Sequence, residues 1–90
     1  MTDADFVKIA KALADPTRRQ MIERIREAGS LTCSDVCSGF SLSQPTISHH
    51  VKTLESAELL QVTRDGQFHI LRVNEDLLRS FAKEITGSGA

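Results

Sequence analysis

A mainly α domain of the α+β type, in the order α-α-α-α-β-β-α, is what the sequence predicts. Three observations predict it. Apolar residues recur at helical spacing in consecutive stretches, and residues that cap helices well open most of them. The period then changes to that of strands on either side of Asp65-Gly66, a strong two-residue hairpin signal. A last helical stretch opens at Asn74. Two short helices joined by a tight turn and followed by a hairpin make a winged helix-turn-helix.

The first helix is expected over about residues 3–14, with Phe6, Ile9, Ala10 and Leu13 on one face. Asp15-Pro16 ends it and starts the second. Asp15 is a good N-cap, and Pro16 at the first helical position gives up only an N–H that has no helical partner there. PTRRQMIERIREA follows, with Met21, Ile22 and Ile25 inward and Gly29 as a left-handed C-cap. Thr32-Cys33-Ser34-Asp35 resembles a shortened capping box, opening a short helix to about residue 38 that Gly39 closes. Ser43 caps the next helix, which runs to about residue 57. Pro45 sits in its first turn, and Ile47, Val51 and Leu54 point inward by their i, i+4, i+7 spacing. Leu60, Val62 and Arg64 form one strand; Phe68, Ile70 and Leu71 belong to the other. The turn between them is expected to need positive φ at both Asp65 and Gly66. Asn74 caps the last helix. Glu75 and Asp76 lie at its positive end, and Leu77, Leu78, Phe81 and Ile85 make an apolar stripe. The tail, residues 87–90, reads as frayed.

Length and composition narrow the function. A chain of 90 residues reads as a single domain over 1–90, and 40 % apolar residues exclude disorder. No apolar run is long enough to span a membrane and no signal peptide is visible, so the expected compartment is the cytoplasm. Cys33 and Cys37 are too few to staple a fold and poorly spaced for a mutual disulfide, so reduced thiols are expected. The histidines and thiols form no nucleophile–base–orienter set, which argues against an enzyme. A net charge of −1, counting histidine as neutral, gives no global support for nucleic-acid binding. Such a role must rest on a local arrangement, which two copies in a dimer would concentrate on one face.

The stretch SQPTISHH offers that arrangement. With Ile47, Val51 and Leu54 inward, the opposite face carries Gln44, Pro45, Ser48, His49 and Lys52. Gln pairs bidentately with adenine, Ser bonds to either base type, and Lys neutralises a phosphate. Thr46 at the flank offers a hydroxyl and a methyl. At the hairpin tip, Arg64 and Gln67 suit a backbone or minor groove. The alternatives are an ordinary amphipathic helix with a polar outer face, or a winged-helix protein-interaction module without DNA binding. His49 and His50, being adjacent, cannot share one helix face and make a poor metal site. His50 is expected to pack and hydrogen-bond near the core boundary, and His69 to lie on the wing surface. Cys33 and Cys37 at i, i+4 can share one ligand. They read as small buried fillers, as a metal or metalloid sensor, or as a redox sensor. No other cofactor is expected.

LADPTRRQMI (13–22), SQPTISHHVKTLESAELL (43–60) and VTRDGQFHILRV (62–73) together resemble the ArsR/SmtB family of bacterial regulators over almost the whole chain. The resemblance implies a homodimeric winged-helix repressor that occludes a promoter. It would bind double-stranded DNA at an operator palindrome and leave on a signal. Ser43, Gln44, Thr46, Ser48, His49 and His50 fall on the family's recognition-helix motif, where the position of His49 is commonly arginine. Glu58 falls where relatives usually carry glycine, implying mild strain or a changed cap. The family dimerises through its terminal helices, which implies Phe6, Ile9, Leu13, Leu78, Phe81 and Ile85 at the interface. Its arsenic sensors carry Cys-Val-Cys and a third cysteine on the helix before the recognition helix. Here Thr32 and Ser34 take the outer positions, Cys33 the middle one, and only Cys37 matches the third. The family's other metal site needs histidine on the last helix, which has none here.

Overall fold

The computed structural model of the chain describes residues 1–87. Its elements are α1 (Asp3–Leu13), α2 (Pro16–Ala28), β1 (Leu31–Thr32), α3 (Cys33–Gly39), α4 (Gln44–Ser56), β2 (Leu60–Asp65), β3 (Phe68–Val73) and α5 (Glu75–Thr86). The expected order is present, with one short strand added. Of the tail expected to fray, Gly87 is the left-handed cap of α5 and donates to the Lys83 carbonyl at 2.7 Å. Residues 88–90 lie outside the described residues.

Side-chain caps set where most helices begin. Thr2 and Asp5 form a reciprocal capping box at α1, which the pattern reading did not anticipate, and Ala14 is that helix's C-cap. Asp15 accepts from the Arg18 N–H at 3.0 Å to start α2. Thr32 and Asp35 close the expected box on α3, each bond 3.1 Å. Ser43 caps α4, and Asn74 caps α5 through the Leu77 N–H. Two C-terminal expectations need correction. Gly29 has φ 84°, open to glycine, but its ψ of −45° lies outside the left-handed basin. Gly39 does not close α3; it lies inside that helix, and Phe40 is the cap. Its missing side chain serves Arg24, whose guanidinium fills the space a Cβ would take. Arg24 Nη1 donates to the Gly39 carbonyl at 2.7 Å and its guanidinium stands 4.5 Å over the Phe40 ring.

The strands form one antiparallel sheet in the order β1-β3-β2. Leu31 and Thr32 pair with Leu71 and Ile70, so the chain between α2 and α3 becomes an edge of the wing sheet. A two-residue strand has too short a pattern to show period 2. The hairpin loop is Gly66-Gln67, one residue later than expected, because Asp65 pairs with Phe68 as the last rung. Of these two loop residues only Gly66 has positive φ, the pattern of a type II′ turn instead of one with both positions positive.

The core gathers Ile9 and Ala12 of α1, Met21, Ile22 and Ile25 of α2, Val36 of α3, and Ile47, Val51 and Leu54 of α4. Leu59, Leu60 and Leu71 complete it from the wing side. Leu59 is buried because of how α4 ends. The Leu59 N–H bonds to the Leu54 carbonyl at 3.0 Å and the Glu58 N–H to that of Glu55 at 2.8 Å. This is a Schellman motif, and it seats Leu59 against Leu54, both fully buried. The motif needs a left-handed residue, and Glu58 supplies it at φ 63°, the one non-glycine residue with positive φ among those described.

Candidate nucleic-acid interface

The face opposite Ile47, Val51 and Leu54 on α4 is open. Gln44, Pro45, Thr46, Ser48, His49 and Lys52 are all exposed. Gln44, Ser48 and Lys52 succeed one another at i, i+4, with Pro45 and His49 in the neighbouring row. Gln44, Ser48 and Lys52 make no side-chain hydrogen bond or ion pair with other described residues. Ser43 and Thr46 are already engaged with each other, Oγ to Oγ1 at 2.8 Å, while the Thr46 N–H bonds to Ser43 Oγ at 3.3 Å. Where Thr46 donates, the Ser43 O–H stays free to reach a phosphate. Pro45 has no N–H, and the N–H groups of Thr46 and Ile47 are bonded to Ser43, so among the described residues only that of Gln44 remains free at the start of α4.

The wing brings Arg64 and Gln67 to the tip, both exposed. Arg64 pairs across the strands with His69, its Nε donating to His69 Nε2 at 3.3 Å. His69 is on the wing surface as expected, and the outer guanidinium nitrogens of Arg64 have no partner among the described residues. Three arginines are committed elsewhere: Arg19 to Glu23, Arg26 to Glu75 and Arg79 to Asp76. Lys52 and Arg64 have no carboxylate partner among the described residues. A chain of net charge −1 therefore keeps uncompensated cations on the recognition helix and at the wing.

Cys33 and Cys37 are half-buried and pack against the core. Burial, and then the neighbouring Cys37 thiol, push the Cys33 thiol above its usual range, toward the protonated form. Among the described residues no three His, Cys, Asp or Glu side chains converge.

The residues expected at a dimer interface divide. Ile9 is only 2 % exposed and belongs to the chain's own core, which leaves it no surface for an interface. Phe6 and Phe81 stack on each other at 4.8 Å, joining α1 to α5 within one chain. Leu13 and Leu78 are half-buried, and Ile85 is 63 % exposed. No residue of α5 is fully buried, and Val7 on α1 is 48 % exposed.

Pattern reading missed Arg18. It is half-buried between α1 and α4 and bonds to both. A signal existed: a cation in the first turn of a helix is opposed by the helix dipole, so Arg18 needs another reason to be there. His50, expected to hydrogen-bond near the core boundary, does so with Arg18.

Comparison with known proteins places this geometry. Residues 13–63 match the family model of a helix-turn-helix domain. The chain is 37 % identical over 71 residues to the transcriptional repressor SdpR of Bacillus subtilis, covering 79 % of this chain and 78 % of that one. It is 33 % identical over 78 residues to the arsenical resistance operon repressor of Staphylococcus xylosus, covering 87 % and 74 %. In fold it is similar to a homodimeric winged helix-turn-helix DNA-binding domain of Mycobacterium bovis, a possible ArsR-family transcriptional regulator. That match has a TM-score of 0.79 at 22 % identity, over 96 % of this chain and 85 % of the other.

Proposed function

Because the chain belongs to the ArsR family of winged helix-turn-helix transcriptional regulators, we propose that it represses transcription by binding a palindromic operator as a homodimer. One observation carries the reading. On the second helix of the helix-turn-helix, a buried row (Ile47, Val51, Leu54) fixes an outer row of Gln44, Ser48 and Lys52 that is exposed and unpartnered within the described chain. Gln44, Ser48 and His49 read base edges in the major groove, Lys52 meets a phosphate, and the Ser43–Thr46 pair sits at the helix start against the backbone. Arg64 and Gln67 of the wing follow the duplex to the adjacent backbone or minor groove.

Dimer formation is supported by the apolar side chains that the terminal helices leave exposed, Val7 on α1 and Ile85 on α5, and by the homodimeric neighbour. No helix of the described residues is long and apolar enough to cross a membrane, which agrees with a regulator working in the cytoplasm.

The test is selection of duplexes from a random library, followed by anisotropy measurements on Gln44→Ala and Ser48→Ala. Each variant loses about 1–3 kcal/mol of specific binding while its helical circular dichroism stays that of the parent. Unchanged affinity in both variants would remove α4 as the reader. Retention of no duplex at low salt would favour a protein-interaction module instead.

A further inference from the structure

Arg18 is third in α2, and its side chain folds back onto the end of α1. Its Nε donates to the Ala12 carbonyl at 2.6 Å and its Nη2 to the Lys11 carbonyl at 3.2 Å. The first bond replaces one the chain cannot make. The residue four beyond Ala12 is Pro16, which has no N–H to give. The third arm of the guanidinium, Nη1, stands 3.3 Å from His50 Nδ1 on α4. A guanidinium has donors only, so His50 Nδ1 accepts, and the neutral imidazole carries its proton on Nε2. The Arg18 backbone is held as well, through its N–H to Asp15.

One half-buried side chain thus ties the end of α1 and the start of α2 to the middle of α4. Among the described residues this is the one side-chain hydrogen bond between α4 and another helix. Burial of Ile47, Val51 and Leu54 decides which face of α4 points outward, but apolar contact is non-directional and holds the tilt of the helix less sharply than a hydrogen bond does. A planar fork with three fixed acceptors is directional. We propose that Arg18 and His50 are positioning residues, a brace that sets the angle at which α4 presents Gln44, Ser48 and His49, neither of them touching DNA. The inference rests on that face being the reader.

Duplexes selected on the parent protein serve as probe, with affinity followed across a salt series for the full-length variants Arg18→Gln, His50→Leu and His50→Asn. Asn places an acceptor near the Nδ1 position and Leu does not. Arg18→Gln and His50→Leu bind roughly tenfold more weakly, the scale of one lost charge-assisted hydrogen bond, and His50→Asn recovers most of the loss. The salt slope stays that of the parent in all three, because no phosphate contact is removed. A slope lower by about one per subunit in Arg18→Gln would make Arg18 a phosphate contact and overturn the brace. Undiminished affinity in His50→Leu would do the same, and this pair still decides if Arg18→Gln fails to fold. The imidazole tautomer is read without DNA, by long-range proton–nitrogen correlation at pH 8. An Nδ1-protonated His50 refutes the brace. If the parent retains no duplex, the reader assignment fails, while the tautomer still reports on the brace.

Discussion

Replacing Glu58 by glycine should make the protein more stable, and the size of the gain follows from how α4 ends. Glu58 holds φ 63° because the Schellman bonds of Glu58 to Glu55 and of Leu59 to Leu54 need a left-handed residue between them. A side chain at that φ costs about 1–2 kcal/mol through the clash of Cβ with the carbonyl. Glycine escapes the clash but gives the unfolded chain more freedom, worth about 0.5–1 kcal/mol against it. The mid-points of the two ranges leave a net gain of about 0.75 kcal/mol, or about 3–6 °C in Tm for a domain of this size. The Asn74 bond to the Glu58 carbonyl, 3.1 Å, uses backbone and survives the change. Urea unfolding at fixed protomer concentration measures the gain as a higher midpoint with unchanged slope. Glu58→Ala separates the causes. It keeps the strain and removes only a carboxylate at the negative end of α4, worth about 0.3–1 kcal/mol at most. If Ala stabilises as much as Gly, the charge is responsible and the backbone reasoning is wrong.

Three further outcomes are expected. Arg64→Ala should weaken all duplexes alike and lower the salt slope by about one per wing; a sequence-dependent loss would mean that Arg64 reads bases. The Asp15 carboxyl is held below the usual aspartate range by the Arg18 N–H, with the Arg18 charge adding to it. Its contribution to stability is therefore present above the ordinary value of about 3.9 and lost as pH falls through the lower folded-state value. The stability gap between the parent and Asp15→Asn should open as pH rises through the lowered folded-state value toward the ordinary one and stay level above about pH 5, and a gap insensitive to pH would contradict this. Arsenite added to a DNA complex should leave it intact, since Cys33 and Cys37 supply two thiols and no third His, Cys, Asp or Glu joins them among the described residues; release that Cys37→Ser abolishes would establish a thiol sensor.

Much of the fold was legible because it is written in caps and periods. Asp15-Pro16, Ser43 and Asn74 each occupy the position their chemistry suits, and Ile47, Val51 and Leu54 are buried as their spacing demands. What escaped involves partners distant in sequence. β1 exists because Leu31 and Thr32 find Leu71 and Ile70, and two residues have no period to show. The loop shifted to Gly66-Gln67 because the register of β2 on β3 extends the ladder to Asp65. Gly39 looked like a helix end, yet it is small to admit Arg24, fifteen positions earlier. Ile9 looked like interface because one helical stripe serves two purposes: α1 buries Ile9 in its own core and leaves Val7 outside. The exposed face of α4 was the most legible part, since exposure there follows from burial on its other side. Arg18 was the least legible, because its partners lie on two other helices.

A net charge of −1 and a DNA-reading face are compatible because the two concern different length scales. Attraction between charges more than about 8–10 Å apart is largely screened at physiological salt, so the sum over the molecule matters less than what meets the phosphates. Ion pairs absorb Arg19, Arg26 and Arg79, and Lys52 and Arg64 stay without acid partners among the described residues. Few phosphates are neutralised by such a face, so non-specific binding should be weak and affinity should depend on hydrogen bonds to bases. Those bonds are strict about geometry. His49, which offers no planar, permanently charged guanidinium fork, adds to this dependence. A reader that cannot lean on bulk attraction gains most from a firmly oriented α4, the role the Arg18–His50 bond is built to fill.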